Sequence, residues 1–196
     1  MLTFVERLDH QLFFAINQGL STPLLDYLLW WASVLGDGLV LTLATGLGLW
    51  WRDRQAFRQH YGWLVVAVLA GGIVVQLLKH GIGRPRPMRE FATLLQAGAV
   101  QLNVIGHSLQ YRSFPSGHAQ AAAAVCTYLL YLYPRRWYWW GLIPLLVGLS
   151  RIYLGAHFPL DVLVGLGLGS LGALGAWRLQ RLLACRLALD KRPGDF

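Results

Sequence analysis

The sequence predicts an all-α integral-membrane protein: a six-transmembrane-helix bundle with an N-terminal amphipathic helix and one long periplasmic loop. Three observations carry that expectation. Hydrophobic residues make up 56% of the 196 residues and charged residues only 13%, against roughly 25% charged in soluble domains. Uncharged or nearly uncharged runs recur six times along the chain, and most basic residues lie between them. The same composition excludes disorder, which needs low hydrophobicity and high net charge. A net charge of +8 would point to nucleic acid in a soluble chain. Its placement between apolar runs assigns it to membrane topology instead, and no nucleic-acid partner is expected.

Taken in order, residues 1–21 come first. Phe4, Leu8, Leu12, Ala15 and Ile16 repeat at helical spacing against Glu6, Asp9, His10 and Asn17. This is the pattern of a helix lying in the membrane interface or packed against a bundle. No removable signal peptide is expected, because the start lacks a basic segment followed by a small-residue cleavage site. The bundle, 22–180, holds the six runs. Thr22–Leu35 carries only Asp26, and Gly36–Trp51 only Asp37. Tyr61–Leu78, Gly117–Tyr133, Trp137–Ser150 and Val162–Trp177 carry no Asp, Glu, Lys or Arg. These runs of 14 to 18 residues fall just short of a ~30 Å hydrocarbon core at ~1.5 Å rise per residue. Each span must therefore recruit flanking polar residues. Trp and Tyr cluster near the proposed ends, as they do at headgroup level. Gly165 and Gly169 allow close helix approach, within the molecule in preference to a dimer face. A monomer or a homodimer fits this pattern. Loop 79–116 includes a moderately apolar stretch, Phe91–Leu102, expected to form a short helix along the outer surface. Residues 181–196 form a basic tail. The two cysteines, Cys126 and Cys185, make no disulfide framework or zinc spacing.

With six spans and both termini inside, 11 of the 17 basic residues fall on the inner side, including Arg7 and, in the tail, Lys191 and Arg192. The positive-inside rule then places loop 79–116 outside. The six remaining basic residues are Lys79, Arg84, Arg86, Arg89, Arg112 and Arg151, and they call for a purpose other than topology.

Parity of the spans brings three polar groups to one membrane face: Lys79 through Arg89, Pro115-Ser116-Gly117-His118, and Ser150-Arg151 with His157 and Asp161. Lys79, Arg86 and Arg151 suit a phosphate and the charge that develops on it during transfer. Ser116 offers a hydroxyl, and Gly117 and His118 offer backbone N–H groups at a helix start. Two histidines suit a nucleophile and a general acid near neutral pH. A helix beginning near Pro159 lets Asp161 reach back to His157 and fix its tautomer. No acidic cluster offers a magnesium site, so no metal and no cofactor is expected.

The stretches KHGIGRPRP (79–87), PSGH (115–118) and SRIYLGAHFPLD (150–161) match Lys-x6-Arg-Pro, Pro-Ser-Gly-His and Ser-Arg-x5-His-x3-Asp in order and spacing. On these motifs the chain resembles the type 2 phosphatidic acid phosphatase family of membrane lipid phosphatases, whose site is related to that of vanadium haloperoxidases. The resemblance covers roughly residues 22–180. It implies His157 as the nucleophile that forms a phosphohistidine, Asp161 as its orienting group, and His118 as the acid and later the base that activates water. Lys79, Arg86, Ser116, Gly117 and Arg151 would hold the phosphoryl group. Arg84-Pro85 duplicates the Arg-Pro signal, but only Arg86 stands six residues beyond Lys79.

The expected function is hydrolysis of a lipid phosphate or diphosphate at the periplasmic face of a bacterial inner membrane, with undecaprenyl diphosphate as the leading substrate. Phosphatidylglycerophosphate, phosphatidate and lipid A 1-phosphate are alternatives. So are lipid-to-lipid phosphotransfer and a non-catalytic lipid-binding role, the last disfavoured by intact His118, His157 and Asp161. Six spans disfavour a haloperoxidase. Arg89 and Arg112 would contact headgroups or solvent, or hold the distal phosphate of a diphosphate.

Overall fold

The computed structural model describes residues 3–106 and 110–190. Within them the protein is helical with no strand: α1 Phe4–Asn17, α2 Pro23–Leu35, α3 Gly38–Arg52, α4 Arg54–Ile82, α5 Pro87–Glu90, α6 Ala92–Gln96, α7 Gly117–Leu132, α8 Trp137–Tyr153 and α9 Pro159–Asp190. Lys191 and Arg192 of the basic tail lie outside the described residues.

Local chemistry sets the ends. Thr3 and Glu6 form a capping box on α1. Thr22, Asp37, Asp53 and Ser116 each turn a side-chain oxygen onto the first-turn N–H groups of α2, α3, α4 and α7. Pro159 opens α9, where its missing N–H costs nothing. Gly83 ends α4 in the left-handed region at φ 61°, which turns the chain sharply into the arginine segment 84–86.

All six apolar runs are helical. The most buried is α7, whose Ala119 to Ala124 are all shielded, and it packs against α3, α4, α8 and α9. The tightest approach is to α9. A Cβ on Gly165 would sit 2.4 Å from the Ser116 carbonyl oxygen, and one on Gly169 2.1 Å from that of Gln120. The small-residue pair is thus spent inside the molecule. Around this core, Leu39, Leu77, Leu163 and Leu171 are each more than 60% exposed. So many large side chains turned outward mark a lipid-facing surface.

Length and apolarity do not single out six spans among the described residues. α4 and α9 are long and apolar enough to cross alone, whereas α2 and α3 form a pair bent by 69° at the break near Asp37. Thr22, at the start of α2, donates its N–H to the Tyr153 hydroxyl at 3.1 Å, at the end of α8 that carries Arg151. Gly36, at its finish, packs on Val147 lower on α8. α3 then runs beside α7, and Asp53 beyond its end accepts the Tyr133 hydroxyl at 2.9 Å. The pair together therefore covers the distance between the motif end and the far end. Asp37 forces the break because its carboxylate caps α3, accepting from Leu39 and Val40.

α1 also departs from expectation. It does not lie on the side opposite the motifs. It packs on the motif end, with Asn17 donating to the carbonyl oxygens of Tyr153 at 2.7 Å and Asn103 at 2.8 Å. Phe13, His10 and Phe14 stack against Phe91 and Phe158. The buried stripe is Asp9, Phe13 and Asn17, while Phe4, Leu8 and Leu12 face outward. A helix against a membrane bundle puts polar partners inward and apolar side chains toward lipid, the reverse of the soluble pattern. In the long loop, only Ala92–Gln96 of the expected Phe91–Leu102 helix is α-helical.

Candidate active site

Three stretches meet at the motif end: Lys79 to Arg86, Ser113 to His118, and Ser150 to Asp161. His157 sits between α8 and α9 and is 2% exposed. Its Nδ1 faces Asp161 Oδ2 and Ser113 Oγ, each at 3.5 Å. Its Nε2 lies 3.4 Å from an Arg86 Nη1 that also donates to the Ala156 carbonyl at 2.9 Å. A guanidinium has donors only, so Nε2 facing it must present a lone pair, and the ring proton belongs on Nδ1 toward Asp161. Burial is the largest influence on the ring and pushes its pKa down from 6.5 to about 3, helped by the positive charges of Arg86 and Arg151 and opposed by Asp161. His157 is therefore a neutral base with its free nitrogen aimed at the Arg86 guanidinium.

Asp161 is fully buried and fully engaged. Oδ1 takes Arg84 Nη1 at 2.6 Å, and Oδ2 takes the Phe158 N–H at 2.9 Å and the Ser113 hydroxyl. The two arginines of the duplicated signal thus part company. Arg86 is on the reactive nitrogen side of His157 and is held there by the Tyr111 carbonyl at 3.0 Å from Nε. Arg84 lies behind Asp161 and pairs there with Asp9 of α1, again at 2.6 Å.

His118 stands in the first turn of α7, with Nε2 3.7 Å from Asp37 Oδ2. Both line a cavity of about 420 Å³ together with Ser33, Arg151 and Met88. Arg151 donates to the Ser33 hydroxyl. Its Nε is buried and, among the described residues, has no hydrogen-bond partner, so a donor remains for an anion in the cavity. Ser116 is fully buried. Its Oγ accepts the Ala119 N–H at 3.5 Å and its own N–H donates to the Asp161 carbonyl at 2.9 Å. Lys79 lies within electrostatic reach of Arg86, Arg151 and Asp161. With Gly117 it closes one end of an apolar groove of about 810 Å³ walled by α3, α4 and α7. Arg89 stacks over Tyr111 at 5.6 Å, and Arg112 holds a left-handed backbone at φ 59°. Among the described residues, no three His, Cys, Asp or Glu side chains group to hold a metal.

All eight candidate residues read from the motifs thus lie at one end of the bundle. Ser113, Asp9 and Asp37 were not among them. Asp37 had one signal, as the single charge in an apolar run. Asp9 looked like the solvated face of an amphipathic helix, and Ser113 stands outside every motif.

The fold and the cluster together define an integral-membrane protein with histidine, carboxylate and cationic side chains gathered at one end of its helices. Residues 60–184 match the PAP2 superfamily, and the chain belongs to that family. It is 34% identical over 122 residues to the lipid A 1-phosphatase of Rhizobium johnstonii, an alignment covering 59% of this chain and 43% of that one. It is 31% identical over 119 residues to the undecaprenyl-diphosphatase BcrC of Bacillus subtilis, covering 60% and 56%. The chain thus spans less than two thirds of either relative's length. Among solved structures, Aquifex aeolicus LpxE superposes with a TM-score of 0.69 at 31% identity, over 87% of this chain and 95% of that one. The transmembrane PAP2 type phosphatidylglycerolphosphate phosphatase of Bacillus subtilis superposes with a TM-score of 0.72 at 24% identity, over 92% and 88%, and shares the fold.

Proposed function

We propose that this protein hydrolyses a lipid-linked phosphate or diphosphate by way of a phosphohistidine on His157. The observation that carries this reading is the Nε2 lone pair of His157 facing Arg86, with Nδ1 turned to Asp161. Attack of Nε2 on phosphorus forms the N–P bond and breaks the bond to the lipid oxygen. His118 protonates that oxygen, then takes a proton from the water that cleaves the N–P bond. Arg86, Arg151, Lys79, Ser116 and the N–H groups at the start of α7 hold the phosphoryl oxygens. Cationic side chains do the work a metal does elsewhere, so the reaction is proposed to need none. The apolar groove ending at Lys79 and Gly117 suits a substrate whose chains stay in the bilayer.

Residues 1–196 act as one membrane domain in this reading. Its five crossings are the α2–α3 pair, α4, α7, α8 and α9, in place of six. α1 then shares the motif face, and Arg7 moves there with it. Ten of the 17 basic residues remain at the far end or in the tail, which still supports a periplasmic site in a bacterial inner membrane.

Undecaprenyl diphosphate is the leading substrate, supported by the likeness to an undecaprenyl-diphosphatase. Lipid A 1-phosphate is the second reading, favoured by the likeness to a lipid A 1-phosphatase. Phosphate release by the purified protein in detergent with chelator tests both. Undecaprenyl diphosphate is expected to be the fastest of a panel with lipid A 1-phosphate, phosphatidylglycerophosphate and phosphatidate. Faster release from lipid A would transfer the assignment to it. A requirement for added magnesium would overturn the metal-free chemistry, and silence on every lipid would overturn hydrolysis.

A further inference from the structure

The site extends one layer behind the residues that would touch phosphate. Asp9 comes from α1, some 150 residues from Asp161 in sequence, yet both carboxylates grip the same guanidinium at 2.6 Å. Asp9 is 5% exposed and Asp161 0%. The second Asp9 oxygen accepts the Leu160 N–H at 2.8 Å, so Asp9 also holds the first turn of α9 that presents Asp161. Arg84 is further held over the Phe158 ring at 4.3 Å. Buried charges at this density need a reason, since a buried pair is weak support for stability alone.

We propose that Asp9 and Arg84 are a positioning pair: they fix the orientation and the charge of Asp161, and through it the nucleophilicity of His157, so the N-terminal helix belongs to the active site. This rests on His157 being the nucleophile. Electrostatics give the pair a signature. Asp9 draws off part of the Arg84 charge. Without it, Arg84 acts wholly on Asp161, which then pulls less on the Nδ1 proton and leaves Nε2 a poorer nucleophile. Without Arg84 the two carboxylates make the site more negative, and His157 holds a proton more readily. Removing both leaves the net charge as it was. The other charged groups around His157 stay constant across these variants: Arg86 from the segment after α4, Arg151 from α8, and Lys79 and His118 in the same cluster.

The test compares Asp9→Asn, Asp9→Glu, Arg84→Gln and the double Asp9→Asn/Arg84→Gln in the full-length protein. Steady-state kinetics are combined with histidine-labelled NMR titration of the His157 ring. Asp9→Asn should lower kcat about tenfold with KM little changed, as loss of an outer partner of a working histidine does. It should also move the His157 titration to lower pH. Arg84→Gln should move it to higher pH, and the double variant should return it close to wild type. Asp9→Glu should recover most of the kcat. If Arg84→Gln does not fold, the sign of the Asp9→Asn shift and the Asp9→Glu recovery still decide. An unmoved titration in Asp9→Asn, with only a lower Tm, would show a purely structural pair and overturn the proposal. His157→Ala is the separate check: turnover by that variant would overturn the nucleophile assignment itself.

Discussion

His157 and His118 have different surroundings, and those surroundings predict different losses. The first is sealed, with one nitrogen on Asp161 and the other toward Arg86. The second opens to a cavity and faces Asp37. A nucleophile is needed for every substrate, whereas a general acid, with a typical contribution of about 10²–10⁴-fold, matters when the leaving oxygen is a poor one. His157→Ala should therefore be inactive on lipid and aryl phosphates alike. His118→Ala should lose lipid hydrolysis but keep a burst of nitrophenol from an aryl phosphate, followed at stopped flow. The opposite pattern would exchange the two roles. Asp37→Asn should resemble a mild His118→Ala, reducing lipid turnover by about tenfold or more while sparing the aryl burst. Equal losses on both substrates would confine Asp37 to its capping of α3. The depressed His157 titration adds a stability prediction. Above pH 6.5 the ring is neutral folded or unfolded; below it the unfolded chain takes a proton that the folded site refuses down to about 3. Stability is lost as pH falls through that window. The Tm in detergent should fall with acidification, and less steeply in His157→Asn; equal slopes would mean the buried ring is not the source.

At the scale of elements, the approach of α7 and α9 is the contact on which the site depends. Ser116 caps α7, and its carbonyl oxygen lies where a Cβ on Gly165 would stand. Gly169 meets the backbone of Gln120 even more closely. Backbone cannot give way as a flexible side chain can, so Gly169→Val should destabilise by about 1–3 kcal/mol. Gly167 on the same helix has open space around its Cα. Gly167→Ala should be neutral or gain up to about 1 kcal/mol from helix propensity. Thermal unfolding in detergent distinguishes the two; equal effects would mean the close approach is not what the glycines serve. The α2–α3 break is a second such element. It delivers Ser33 to Arg151 and Asp37 to His118 from consecutive helices, which a straight span would not do.

For the whole molecule, the position of α1 decides the topology. Its contacts to Tyr153, Asn103, Leu160 and Arg84 all lie at the motif end. Single cysteines at Gln11, Gln55 and Gln96, all exposed, test this in a background lacking the exposed Cys185. An impermeant reagent applied to intact cells should label positions 11 and 96 and spare 55. Labelling of 96 alone would restore a six-span arrangement with α1 on the far side. Labelling of 55 alone would reverse the orientation of the whole bundle.

Lipid solubility, the helical runs and the motif residues were legible in the sequence, because each is a local property. Apolar composition reports the solvent. Capping residues such as Asp53 and Ser116 report helix ends, and a motif keeps its spacing within one segment. Parity of the helices was enough to bring Lys79, His118 and His157 to one face. The choice between Arg84 and Arg86 was legible only as spacing; its physical content, one arginine before His157 and the other behind Asp161, appears in three dimensions. Asp9, Ser113 and Asp37 were not legible as site residues. Their partners are 75, 48 and 81 positions away, and a lone polar residue carries no mark of the distant side chain it will meet. The same holds for the burial of Asp9 and Asn17 and the exposure of Leu8 and Leu12 on α1. Helical periodicity identifies two faces, but only packing against Phe91, Phe158 and Arg84 determines which one turns inward, since lipid accepts the apolar face as readily as a protein core does.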